Sequence, residues 1–169
     1  MERLYAPWRI EYVERKEKEP GCIFCNRLAS GEDDANLIVH RAKGAFTIMN
    51  KFPYSNGHLL VCPYRHVSDI CDLTRKENID LIEEVTKAVK VLREVMRPAA
   101  FNIGINLGVE AGAGVSEHLH YHVVPRWKGD TNIMAVLADL RVIPEHFLST
   151  SRKIREGFAR LFPVDAERV

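Results

Sequence analysis

Net charge is nearly absent from this chain: 24 lysines and arginines against 23 aspartates and glutamates leave +1 over 169 residues. That balance excludes a global pull toward nucleic acid or a membrane surface, so any anion must be held by a local site. No apolar run approaches the length of a membrane span. The opening stretch from Met1 to Arg9 has no apolar core of the signal-peptide kind, so a cytoplasmic location is expected. Internal repeats are lacking, as is any linker long enough to divide domains. Cysteine is sparse. Of the 4 present, Cys22 and Cys25 form a Cys-x-x-Cys pair, which in a reducing compartment reads as metal or redox chemistry before disulfide.

What is present is an ordinary globular composition, 46% hydrophobic and 28% charged. The stretch from His118 to Arg126, His-Leu-His-Tyr-His-Val-Val-Pro-Arg, organises the rest. Its alternation has the period of a half-buried strand, which puts His118, His120 and His122 in a row on one face. Leu119, Tyr121 and Val123 then face the core.

Around this row the chain reads as one α+β domain. A short helix spans 22–30, and strands follow at 37–39, 45–49 and 58–62, close enough together to be antiparallel neighbours. The helix at 75–97 opens on a capping box, Thr74 with Glu77, and carries the apolar stripe Ile82, Val85, Val89, Leu92 and Met96. A fourth strand covers 101–108 and the histidine strand is the fifth. Residues 1–20 form a packing segment with aromatic anchors (Tyr5, Trp8, Tyr12). Residues 129–169 form a C-terminal extension of the same domain, with a helix after Pro144 burying Phe147, Ile154, Phe158 and Leu161. His40 and His146 read as surface residues.

A neutral imidazole is a good nucleophile near neutral pH, and histidine can form covalent intermediates. His120, central in the row, is the candidate nucleophile, and His122 can donate a hydrogen bond to an anion. In the preceding loop, Gly112 and Gly114 permit main-chain N–H groups to converge on a phosphate, and Ser116 adds a hydroxyl; the same glycines also suit a plain hairpin. Together these features imply substitution at phosphorus through a phospho-histidine species. His58 and His66 are undistinguished on their own. Cys22 and Cys25 supply half of a tetrahedral zinc site, and spacing does not choose the other half.

The triad from His118 to Val124, together with the stretch from Ala45 to Pro63, resembles the histidine triad (HIT) superfamily, and its fragile histidine triad branch in particular. The likeness covers about residues 20–128, so that 21–128 reads as the HIT domain. The opening Leu4 to Tyr12 and the run Glu117 to Trp127 look most like prokaryotic diadenosine tetraphosphate phosphorylases. The resemblance implies a five-stranded antiparallel sheet with flanking helices, continued across a homodimer. It implies that His120 attacks the α-phosphorus, that His122 contacts the phosphate and that His58 orders the histidines. It also implies that Asn50 meets the ribose and Asn106 precedes the phosphate loop. Zinc-bearing members suggest Cys22, Cys25, His66 and His118 as ligands of a structural zinc, with no organic cofactor. Where hydrolases of the family carry a Gln-Ser pair, this chain has Gly114-Val115. The small residues Gly112, Ala113 and Gly114 point to phosphate as the acceptor, in a pocket shaped by Asn106, Ser116 and Trp127. The expected partners are a dinucleoside polyphosphate and phosphate, with no nucleic acid and no membrane. Hydrolysis, phosphoramidase activity, a nucleotide-binding signalling module and a zinc-stabilised interaction protein are the alternatives.

Overall fold

The structure is a computed structural model that describes residues 20–130 and 145–163. The expectations for the aromatic N-terminal segment, the apolar stretch 133–140 and Pro144 lie outside the described residues.

The chain folds in the order α1 (Ile23–Ala29), α2 (Asp33–Asn36), β1 (Ile38–Arg41), β2 (Ala45–Met49), β3 (Leu59–Pro63), α3 (Arg75–Met96), β4 (Ala100–Ile105), β5 (Tyr121–Arg126) and α4 (Phe147–Leu161). The strands make one antiparallel sheet in the order β1-β2-β3-β5-β4. The α+β class and the five-stranded sheet are those expected from the sequence. β5 therefore lies between β3 and β4, with His122 opposite Leu60 on one side and Gly104 on the other.

Strand alternation sorts the side chains onto two faces. Ala45, Met49, Leu59, Val61, Leu119 and Val123 pack with α3 and α4 in the main core. Phe46, Ile48, Leu60 and Cys62 pack on the opposite face with Phe24 of α1. α3 starts on the expected capping box: the Glu77 N–H donates to Thr74 Oγ1 (3.2 Å) and the Thr74 N–H donates back to Glu77 Oε2 (2.8 Å). Left-handed Arg97 (φ 50°) closes it. Leu81 and Leu92 are wholly buried on its inner face, where truncation to alanine costs about 2–5 kcal/mol.

Several local expectations need correction. The buried face of α3 consists of Leu81, Glu84, Val85, Ala88, Val91 and Leu92, while Ile82 is 50% exposed. α4 joins the same core through Ile154 and Phe158, and a second packing partner turns the buried face away from the one that periodicity alone picks out. Leu161, near the end of α4, is exposed. His40 is not a surface residue. It stacks on Phe158 (4.5 Å between centroids, 12° between planes) and its Nδ1 lies 2.7 Å from Glu84 Oε1. Thr47 Oγ1 donates to the same oxygen (2.5 Å). The covering of edge strand β1 by α4 buries this polar group, and no local pattern in the sequence announces it.

β5 begins at Tyr121, so His118 to His120 enter it as extended chain instead of paired strand. Pro125 does not stop it: the strand runs through Arg126, with Pro125 opposite Phe101.

Candidate functional site

The alternation expected for the histidine row survives the late strand start, because Leu119 and Val123 are core residues while the three histidines lie on the other side. His118 and His120 are buried and both rings meet Phe24, at 5.4 and 5.1 Å between centroids. The rings of His120 and His122 meet edge to face at 4.9 Å.

Hydrogen bonds assign each imidazole a tautomer, because a neutral ring has one N–H and one lone pair. His120 Nδ1 lies 2.8 Å from the carbonyl oxygen of His118. A carbonyl only accepts, so Nδ1 carries the proton and Nε2 the lone pair. His58 Nδ1 accepts from the Tyr54 N–H (3.1 Å) and from Asn50 Nδ2 (3.2 Å). Its proton therefore sits on Nε2 and is donated to His122 Nδ1 at 2.9 Å. His122 must then carry its own proton on Nε2. That atom is buried and has no hydrogen-bond partner within the described protein. Directly opposite on β4 is Gly104, with open space where a side chain would stand. One imidazole thus presents a lone pair, and its neighbour an N–H.

Burial keeps these rings neutral. Desolvation lowers His120 below the ordinary imidazole value. Burial, then the neighbouring His120, pushes His122 down to about 4. A neutral His120 can act as a nucleophile and a neutral His122 still donates one N–H.

Asn50 stands beside His58, and its Oδ1 also accepts from the Phe52 N–H (3.0 Å). Asn106, at the end of β4, donates to the Gly112 carbonyl (3.4 Å) and so braces the loop that leads to the triad. Within that loop Gly112 is left-handed (φ 88°), a conformation that favours glycine, whereas Gly114 is not in that region. Ser116 is half-buried next to the triad. Trp127 lies in the turn after β5, where its main-chain N–H donates to Asp130 (3.1 Å). Tyr54 and Phe24 carry no signal in the sequence beyond being aromatic, and both are placed on the histidines by tertiary packing.

A second cluster lies at the other end of the row. Ligand atoms of Cys22, Cys25, His66 and His118 all fall within 4.8 Å of one another. His118 Nε2 donates to the Pro63 carbonyl (3.1 Å), which leaves its Nδ1 lone pair 3.3 Å from Cys22 Sγ and 3.5 Å from Cys25 Sγ. Cys25 Sγ is also 3.5 Å from His66 Nδ1. Ligands about 2.0–2.3 Å from a tetrahedral ion stand roughly 3.5 Å apart, so the donor set fits zinc. Burial and the adjacent Cys22 raise the Cys25 thiol, and desolvation lowers His118 below the ordinary imidazole value, toward the neutral form that metals bind.

Comparisons with known proteins agree with this geometry. The family described as HIT domain matches residues 30–129. The chain is 37% identical over 167 residues to an AP-4-A phosphorylase of Mycobacterium tuberculosis, covering 95% of this chain and 86% of that protein. Over 93 residues it is 41% identical to an asymmetrical bis(5'-nucleosyl)-tetraphosphatase of Schizosaccharomyces pombe, covering 55% of this chain and 50% of that one. Among solved structures, a zinc-bound histidine triad family protein from Mycobacterium smegmatis superposes with a TM-score of 0.68 at 27% identity, over 83% of this chain and 95% of that one. Sheet order, histidine row and family match converge, and the chain belongs to the HIT domain family.

Proposed function

We propose that this chain is an enzyme that cleaves dinucleoside polyphosphates by passing a nucleotidyl group through His120, and that it works as a diadenosine tetraphosphate phosphorylase. The observation that carries the reading is the pair of complementary tautomers, a lone pair on His120 Nε2 beside an N–H on His122 Nε2. The 37% identity to an AP-4-A phosphorylase along nearly the whole chain supports the choice of substrate.

In this mechanism His120 Nε2 attacks the α-phosphorus. An N–P bond forms, the bridging P–O bond to the β-phosphate breaks, and ATP leaves. Positive charge then develops on the His120 ring, and the His118 carbonyl that accepts from Nδ1 offsets it. His122 donates from Nε2 to a non-bridging oxygen, held in place by His58. Inorganic phosphate next attacks the same phosphorus, an O–P bond forms, the N–P bond breaks, and ADP is released with His120 restored. Asn50 meets the ribose. Gly112, Gly114 and Ser116 line the phosphates, and Asn106 and Trp127 bound the acceptor pocket. Small residues at Gly112, Ala113 and Gly114 leave space for the second anion.

Cys22, Cys25, His66 and His118 hold a zinc with a structural role: four protein ligands close the tetrahedron and leave no position for water. The enzyme is a homodimer joined through edge strand β4, whose Ile103 is 48% exposed. It resides in the cytoplasm, where the ligand thiols stay reduced. No described helix is long and apolar enough to cross a membrane.

The test is product analysis from diadenosine tetraphosphate with and without phosphate. Phosphorolysis gives ADP plus ATP and depends on phosphate. Phosphate-independent AMP plus ATP assigns the chain to hydrolysis, and tight nucleotide retention without turnover assigns it to a signalling role.

A further inference from the structure

The loop between β2 and β3 places Tyr54 over His122, which contacts phosphate in the proposed reaction, and over His58, which holds His122 in place. Its ring lies 4.9 Å from that of His58 (27° between planes) and 5.9 Å from that of His122 (24°). One aromatic face thus covers both members of a hydrogen-bonded pair. The same residue's main-chain N–H donates to His58 Nδ1. Tyr54 is 46% exposed, so the ring stands between solvent and the pair and is not itself part of the core.

We infer that Tyr54 is a positioning residue, which locks the His58–His122 pair in the tautomer that aims the His122 Nε2–H at the substrate phosphate.

The position of one proton decides between two tautomers of the pair. For His122 to hold its proton on Nδ1, His58 Nε2 must become the acceptor and His58 Nδ1 the donor. That arrangement sets the His58 N–H against the Tyr54 N–H, two donors with no acceptor between them. The Tyr54 main chain and the Asn50 amide therefore favour the observed tautomer only while the His58 ring keeps its orientation. The ring does the rest: stacking fixes the planes of both imidazoles, and its cover keeps water from inserting into the 2.9 Å bond between them. Without the ring, His58 can turn about its own side-chain bonds and water can supply either ring nitrogen, so both tautomers become accessible.

The inference rests on the nucleotidyl-transfer reading for its kinetic arm only. The experiment compares Tyr54→Ala, Tyr54→Leu and Tyr54→Phe in the full chain, with histidine labelled with nitrogen-15. In the free protein, the wild type and Tyr54→Phe should show a fixed Nε2–H form for His58 and His122. Tyr54→Ala should show averaging between tautomers. With diadenosine tetraphosphate and phosphate, Tyr54→Ala should lose about tenfold or more in kcat with KM within about threefold, while Tyr54→Phe retains near-wild-type values. If Tyr54→Ala does not fold by circular dichroism, Tyr54→Leu is read by the same criteria, since it keeps apolar bulk but cannot stack. A wild-type tautomer pattern in the folded ring-less variant overturns the inference, as does a loss confined to KM, which would make Tyr54 a substrate contact. Failure of the wild type to turn over the dinucleotide rejects the proposed function, and the tautomer measurement still decides the role of Tyr54.

Discussion

His118 and His120, two positions apart on one face, turn their Nδ1 atoms to opposite uses. The Nδ1 of His118 faces the sulfurs of Cys22 and Cys25, at 3.3 and 3.5 Å, while that of His120 is capped by the His118 carbonyl at 2.8 Å. In the proposed function the first serves as a metal ligand through Nδ1 and the next as a nucleophile through Nε2. The division of labour follows from which carbonyl each ring can reach.

Replacing His120 by alanine removes the attacking atom but little of the surface around it. Turnover should fall by about four orders of magnitude or more, with nucleotide affinity largely retained. Intact-mass analysis of the wild type after a substrate pulse should find a nucleotidyl adduct that peptide mapping places on His120. An adduct on His122 or His58 would refute the assignment.

Acid should loosen the fold through His122. The unfolded chain takes up a proton on this residue near the ordinary value of 6.5, whereas the folded chain resists until about 4. Between those values the unfolded state binds more protons, so stability declines as pH falls through the window and gains nothing more from this group above it. The melting temperature should be lower at about pH 5 than at about pH 7, and His122→Asn should show a smaller drop. An equal drop in the variant would show that other groups carry the effect.

Metal content should be near one zinc per chain in protein purified without chelator, following the four-ligand count. Removing it, or making Cys25→Ser, should lower the melting temperature before it affects the chemistry at His120. Elemental analysis and thermal melts check both halves. Zinc loss that stops catalysis with the fold unshaken would contradict a structural role.

The C-terminal helix reaches the loop that carries Tyr54 and His58 through a buried hydroxyl. Thr150 Oγ1 lies 3.0 Å from Asn56 Oδ1 and 2.9 Å from Glu145 Oε2. Thr150→Val keeps the shape and removes the one proton that this hydroxyl can donate, to Asn56 Oδ1 or to Glu145 Oε2, which should cost about 1–3 kcal/mol in urea unfolding. A change within error would mean that water takes over the bond.

How far the sequence foretold the site depends on the range of each signal. The triad was readable because alternation is local and survives even where pairing starts late, at Tyr121. Cys22 and Cys25 were readable as a pair, but His66 and His118 join them only through the folded chain, and resemblance rather than spacing supplied them. His40 was misplaced because its burial depends on Phe158, far along the chain. Glu84 offered no warning either: a carboxylate amid helix positions reads as solvated until α4 and β2 close over it. Tyr54 sits in an irregular loop, where no period exists to be read.

The pairing of His122 with Leu60 carries one more consequence. A slip of two residues along β5 keeps every side chain on its own face, so hydrophobic patterning cannot distinguish the correct frame from its neighbours. In the shifted frames Val124 or His120 would stand where His122 should, in a protein with an intact core and a silent site. What pins the frame is a short latch upstream of the strand: the Leu119 N–H donates to the Val67 carbonyl (2.7 Å) and His118 Nε2 donates to the Pro63 carbonyl (3.1 Å). The segment from Pro63 to Val67 therefore works as an alignment key, and damage to it would erase chemistry several residues away while leaving the fold standing.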